Sequence, residues 1–318
     1  MRIEIKRICF IKLGSKKDNI EINCLNEGKM VLGYRGINHF ENYAFLNIDF
    51  LKQEIIEKYK SDIGAAARHA KQIMTFYDNN DTTLWITFSQ RKVWWGFADY
   101  SKKPYKDENG FTYRTMLDGW KCTDINGRLL TFENVSGALL KTQGFQGTIC
   151  DISQKDSFPI EEYTRRLING EKLEEVKQAE INKKNIEKSM ADLLKMLHPK
   201  DFEYIVDLIF QYSGWKKLTP GAGVEKDLDL DLLMLLTNER AFVQIKSQTS
   251  NLQYNEYKEI FKKHELDYDR FYYVYHTWEN KNVDYNTEDK KINFLDINKL
   301  SELIVELGLI TILMKKVS

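Results

Sequence analysis

The chain has 318 residues, 47 basic and 47 acidic side chains, 42% hydrophobic, 30% charged and 13% aromatic residues. That length predicts two domains, and that balance excludes a disordered, collagenous or low-complexity chain. No apolar run reaches the roughly 18 residues of a membrane helix, the first residues carry too many charges for a secretory leader, and four scattered cysteines form neither a disulfide framework nor a zinc motif. The expectation is a cytoplasmic globular protein with no membrane association.

In chain order, Arg2 to Gly33 gives short apolar stretches (Ile3 to Ile11; Ile20 and Ile22; Met30 to Leu32) broken by Gly14-Ser15 and Asn26-Glu27-Gly28, the pattern of strands and turns. Residues 48–60 and 65–77 switch to helical spacing. Leu84 to Phe88 and Val93 to Phe97 then flank Gln90-Arg91-Lys92, which predicts a β-hairpin carrying Trp85, Trp94 and Trp95. Further strands are expected around 114–122, 129–132 and 148–152.

Residues 160–197 contain one glycine and no proline among many Glu, Lys, Leu and Ile, so they read as helices joining two bodies. The expected organisation is one domain over 1–158, a helical linker over 159–198 and a second domain over 199–318. Charge follows the same division: residues 1–160 hold 23 basic against 19 acidic groups, and residues 201–318 hold 15 against 20. That contrast fits ordinary solvated surface, and it also fits a polyanion binder with an acidic metal site.

The third region reads as an αββαβα order. Asp201 to Tyr212 is an amphipathic helix, Thr219 to Gly223 a loop, 228–236 and 241–245 two strands about a Thr237-Asn238-Glu239-Arg240 turn, 253–263 a helix, 271–275 a buried strand and 300–307 a last helix. Residues two apart on a strand share a face, so Asp227, Asp229 and Asp231 point one way and Gln244 and Lys246 point together. Antiparallel pairing brings these carboxylates towards the lysine. Oxygen ligands suit a divalent ion, and a lysine beside them suits the attacking water or the charge of a phosphodiester. The plain alternative is a solvated strand edge with Lys246 as a gatekeeper.

Three stretches, Asp201-Phe202-Glu203 through Gly214-Trp215, Glu225-Lys226-Asp227-Leu228-Asp229-Leu230-Asp231, and Phe242-Val243-Gln244-Ile245-Lys246-Ser247, together resemble the Mrr-like branch of the PD-(D/E)XK nuclease superfamily. The resemblance covers roughly the last third of the chain. It implies a restriction-endonuclease-like α/β domain with an αββαβ core, and a site made of Asp229 or Asp231, Gln244 with Lys246, and Glu203. Asp229, Asp231, Gln244 and Glu203 would hold Mg²⁺, or Mn²⁺, and Lys246 would serve the water. Gln244 stands where most of the superfamily has an acid. Asp231 suits the tightest hairpin and Asp229 one with a bulge.

In the first domain, adjacent Trp94 and Trp95 would point to opposite faces of one strand, so at least one is expected at a surface or pocket. With Trp120, they are the candidates for a base-reading cage; core burial is the competing reading. The helix-then-hairpin order resembles PUA-like or EVE-type reader domains, implying a mostly β, PUA-like α+β domain. The implied whole is a Mg²⁺-dependent endonuclease cutting DNA, in a restriction or phage-defence role, as a homodimer, with modified DNA as a candidate target. The alternatives are a non-catalytic sensor of nucleic acid or of a protein partner, and a nuclease acting on RNA.

Overall fold

The computed structural model describes residues 2–14, 19–41, 43, 46–152, 159–218, 229–279 and 289–318. They fall into two compact units, Met1–Leu173 and Glu174–Ser318.

The first unit contains β1 (Arg7–Ile11), α1 (Ile20–Asn26), β2 (Lys29–Leu32), α2 (Ile48–Tyr59), α3 (Ile63–Tyr77), β3 (Thr83–Ser89), β4 (Lys92–Ala98), β5 (Tyr105–Lys106), β6 (Thr112–Lys121), α4 (Gly137–Leu140), β7 (Ile149–Asp151) and α5 (Ile160–Ile168). Six strands run in the order β2-β6-β4-β3-β1-β7, with β5 added on β6. β1 and β3 pair in parallel, across the crossover that carries α2 and α3, and the other pairs are antiparallel. Both faces of this sheet are covered. Cys9, Ile11 and Trp85 pack with Leu51, Ile55, Ile73 and Phe76 on one side; Ile8, Phe10, Ile86 and Trp95 pack with Leu139 and Ile168 on the other. All seven residues of β3 are buried, which explains its nearly continuous apolar run.

The predicted hairpin forms as β3–β4, with Ser89 opposite Lys92. Gln90 and Arg91 both take positive φ, 52° and 56°, as a two-residue turn of the primed kind requires. Two other expectations fail locally. Ile20 and Ile22 lie on a helix, α1, because the buried set Glu21, Cys24 and Leu25 has helical spacing. Residues 129–132 contribute only isolated bridges at Leu129 and Thr131.

The second unit contains α6 (Glu174–Met196), α7 (Pro199–Tyr212), β8 (Trp215–Lys217), β9 (Leu230–Met234), β10 (Arg240–Thr249), α8 (Asn251–Lys263), β11 (Arg270–Trp278), β12 (Ile292–Leu295), α9 (Ile297–Glu306) and α10 (Ile310–Val317). Its sheet runs β12-β11-β10-β9-β8, antiparallel on the β8–β9–β10 side and parallel across β10–β11–β12. The predicted αββαβα order gains a short strand at each edge and a second C-terminal helix. Val243, Ile245 and Val274 pack against apolar residues of α6, α7, α9 and α10. On the opposite face, Phe242, Phe271 and Tyr273 pack against Tyr254 and Phe261 of α8. α7 opens with His198 as N-cap and Pro199 in the first turn, where a missing N–H costs nothing.

Residues 159–198, expected as a linker, are shared between the units. α5 buries Thr164 and Ile168 in the first, whereas α6 buries Met190, Ala191 and Leu194 in the second. Among the described residues no helix is long and apolar enough to cross a membrane.

Candidate active site

The site is built where β9 begins and β10 is half run. Phe242 lies opposite Asp231 and Val243 opposite Leu230, so the next antiparallel position sets Asp229 against Gln244. Opposed residues share a face, which puts Asp229, Gln244 and Lys246 on the α8 side of the sheet. Asp229 Oδ2 accepts from Gln244 Nε2 at 2.5 Å and from the Ile245 backbone N–H at 2.7 Å. These donors hold the carboxylate at a fixed angle.

Burial pushes the Asp229 carboxyl above the usual range; the Ile245 N–H and the charge of Lys246 pull it down, Glu203 raises it and Lys200 lowers it. Asp229 therefore lies within the electrostatic reach of Glu203 on α7 and of Lys246 on β10. Lys246 Nζ sits 4.8 Å above the ring of Tyr257 on α8, a cation–π contact that gives the long side chain a resting place. Glu203 is tied by a 2.7 Å ion pair to Lys200, one turn away on α7.

Gln244 is 1% exposed, and among the described residues its Oε1 is buried without a hydrogen-bond partner. An unpaired buried acceptor is costly. Gln244 meets Asp229 through Nε2, and the Oε1 of the same amide is an oxygen of the kind a hard cation takes beside a carboxylate. Among the described residues no three His, Cys, Asp or Glu side chains come close enough together to form a metal site by themselves. The amide oxygen is what completes the pair.

Asp231 does not join this group. Its carboxylate is buried and held in a two-pronged ion pair by Arg240, with Nε–Oδ1 at 3.0 Å and Nη2–Oδ2 at 2.5 Å, while the Arg240 guanidinium lies 4.7 Å over Tyr268. The turn decides this register. Met234 N–H donates to the Glu239 carbonyl and Asn238 N–H to the Met234 carbonyl, with Asn238 at φ 58°, so the loop occupies residues 235–238 instead of two residues. The longer loop slides β9 along β10 and places Asp229, not Asp231, opposite Gln244. Asp227 and the Thr219 to Gly223 loop lie outside the described residues.

Of the three tryptophans expected in a base-reading cage, Trp95 and Trp120 are buried in the core and Trp94 is partly buried against it. Trp95 is 2% exposed, and its indole N–H donates to the Thr123 carbonyl at 2.7 Å. Trp120 donates to the Lys29 carbonyl at 2.9 Å, and Trp94, partly buried against the opposite core from Trp95, donates to the Ser89 carbonyl at 3.1 Å. The argument that Trp94 and Trp95 cannot both be inward assumes a sheet with one wet face; this sheet has cores on both. His276 packs edge-on against Phe202 at 5.0 Å and contacts Thr277 Oγ1 at 2.8 Å, a structural setting in which burial first, and Lys195 second, lower its pKa. Sequence reasoning passed over Lys200, which its three-residue spacing from Glu203 could have disclosed, and Tyr257, which only the packing of α8 reveals.

No family model matches the chain, and neither does any curated protein. Among solved structures the chain is similar to one described as the DNA modification-dependent restriction endonuclease AspBHI, with 9% sequence identity over 92% of this chain and 79% of that one, at a TM-score of 0.30. A superposition that loose decides neither fold nor chemistry.

Proposed function

We propose that the protein is a divalent-metal-dependent endonuclease that hydrolyses DNA phosphodiester bonds in a restriction or phage-defence role, with the first unit recognising the target, modified DNA included. The observation that carries this reading is the buried Gln244 Oε1 without a donor, next to the Asp229 carboxylate and on the same face as Lys246. Bound by Asp229 and Gln244, Mg²⁺ or Mn²⁺ would polarise the scissile phosphate and lower the pKa of a water. Asp229 is pre-set for this by the Ile245 N–H, so no side-chain search is needed on binding. Lys246 faces the same space with a positive charge, suited to holding the attacking water or stabilising charge that develops on the phosphate oxygens. Glu203 contributes a further carboxylate once Lys200 turns to the DNA backbone. Hydrolysis in this arrangement uses no covalent enzyme intermediate, and cutting both strands requires two copies of the chain.

A second reading, a non-catalytic nucleic-acid sensor, draws on the Lys200–Glu203 ion pair, which occupies the second acid. One experiment separates them. The full-length protein and Lys246→Ala are incubated with modified and unmodified plasmids in Mg²⁺, Mn²⁺ or EDTA, and DNA binding is followed by gel shift. The expected result is metal-dependent nicking by the wild type, reduced about a hundredfold or more in Lys246→Ala, with DNA affinity changed less than about threefold. Equal cleavage by both proteins overturns the role of the site; binding without cleavage under any metal condition makes the sensor the correct reading.

A further inference from the structure

The first unit contains a hollow that the nuclease reading does not use. It has a volume of about 470 Å³, within the range of small-molecule sites, and lies against α3. Its aromatic wall is Tyr43 and Tyr77, stacked with centroids 5.4 Å apart and planes 18° from parallel. Tyr77 is locked from behind. His39, 2% exposed, meets the Tyr77 hydroxyl through Nδ1 at 2.7 Å and the Tyr34 carbonyl through Nε2 at 3.2 Å. A carbonyl only accepts, so Nε2 carries the proton and Nδ1 accepts from Tyr77. Leu46, Ile48 and Met74 add aliphatic surface.

The polar edge of the hollow is Arg7, Thr75 and Asp78. Arg7 Nε is fixed on Asp151 and Nη1 on Asp78, each at 2.7 Å, so a guanidinium and a carboxylate stand side by side in one set orientation. The Asp78 side chain remains half exposed. A second hollow of about 310 Å³ shares Lys71 and Thr75 with the first and adds Arg68. The two hollows adjoin along α3, where Arg68, Lys71 and Thr75 recur at helical spacing on one face and Asp78 caps the end.

A flat apolar wall beside an edge that both donates and accepts suits a planar heterocycle with its own donors and acceptors, and the adjoining Arg68 and Lys71 suit an anion attached to it. We infer that this double hollow binds a nucleotide, with the base against the Tyr43–Tyr77 wall, its polar edge on Arg7 and Asp78, and its phosphate towards Lys71 and Arg68. A lipid chain would strip water from the half-exposed Asp78 carboxylate and the remaining Arg7 N–H groups without replacing it, whereas a simple anion would have no use for the aromatic wall. The ligand chemistry is common to a free mononucleotide and to one residue of a polynucleotide. The inference does not depend on the nuclease site, which lies in the other unit.

The test is calorimetric titration of the full-length protein in EDTA with the four 5′-mononucleotides, their nucleosides, inorganic phosphate and a short single-stranded oligodeoxynucleotide. At least one mononucleotide or the oligonucleotide should bind. Tyr43→Ala should weaken that binding about tenfold, the effect of losing one stacked ring. Because Tyr43 also touches the core, Ile48→Glu provides a second variant at a position 40% exposed, and by setting a charged chain against the base it should weaken binding of nucleotides and nucleosides alike without lowering the melting temperature. Lys71→Gln should weaken ligands that carry phosphate and leave nucleosides unchanged. Binding of mononucleotides identifies the free metabolite as the source, and binding of the oligonucleotide alone identifies the polymer. The inference is overturned if no base-containing ligand binds, if inorganic phosphate binds as well as the nucleotides, or if Tyr43→Ala and Ile48→Glu both bind like the wild type.

Discussion

The β3–β4 hairpin of the first unit and the β9–β10 hairpin of the second both concentrate unusual residues, and the fold treats them in opposite ways. Around β3–β4, every expected recognition tryptophan has its indole N–H donated to a backbone carbonyl. Around β9–β10, Gln244 Oε1 is buried and, among the described residues, left without a donor, and Asp229 is partly buried beside it. Satisfied polar atoms inside a core describe structure, while unsatisfied ones beside a carboxylate describe a place for a ligand. The difference teaches that residue type marks a region as unusual and that an unpaired buried atom points to a ligand only beside a charged group, since among the described residues Trp85 Nε1 on β3 is also buried without a partner but lies in an apolar core.

The largest effect should come from the satisfied side. Trp95→Ala removes a fully packed ring and its bond to Thr123, and should destabilise the first unit by about 3–5 kcal/mol in a denaturant melt. Were Trp95→Ala to melt like the wild type and lose nucleic-acid binding, the contrast between the hairpins would collapse and the cage would return.

Next come the two aspartates of β9, which sharpen the contrast within one strand. On the proposed function, Mg²⁺ should raise the melting temperature of the wild type, and Asp229→Asn should abolish that rise and lower cleavage by about a hundredfold or more. Asp231→Asn should behave differently, losing about 1–3 kcal/mol of stability through the broken Arg240 pair, in which the guanidinium is partly solvated, while retaining metal-dependent stabilisation. Reversal of these outcomes would mean that the longer hairpin loop does not set the register of the site.

The smallest effect is in pH. His39 has its pKa lowered to about 4, chiefly by burial, against an ordinary value near 6.5. Between those values the unfolded chain binds the proton and the native one does not, so the stability of the first unit should rise with pH across that window and fall as acid is added. Replacing His39 by Gln should flatten this segment of the pH–stability curve. In the second unit the His276 pKa is also lowered, by burial first and Lys195 second, so the stability of that unit should move with pH in the same direction.

Much of the secondary structure was legible because it depends on local spacing. Short apolar runs bounded by turn residues marked β3, β4 and β10, and helical spacing marked α2, α3 and α7. The Ile20 to Asn26 segment misled because two isoleucines two apart imitate a strand when the helix is short and Ile22 is left exposed. For the candidate site, the sequence supplied Asp229, Gln244, Lys246 and Glu203 as a set but left Asp229 and Asp231 interchangeable.

What the sequence determined by itself, then, is the chemistry available: an acid-rich strand, a Gln-x-Lys strand, a helical glutamate and a tryptophan-bearing hairpin, each specified by residue type and short-range period. What only the tertiary structure decided is which groups meet. A loop over residues 235–238 selects Asp229 for Gln244 and gives Asp231 to Arg240, because antiparallel register depends on turn length and not on the strand's own composition. Covering both faces of the first sheet turns Trp94 and Trp95 inward together, a fact that no single strand contains. The Arg7, Tyr43, Tyr77 and Asp78 hollow likewise comes from three separated segments, so only packing brings its wall and its polar edge to one place.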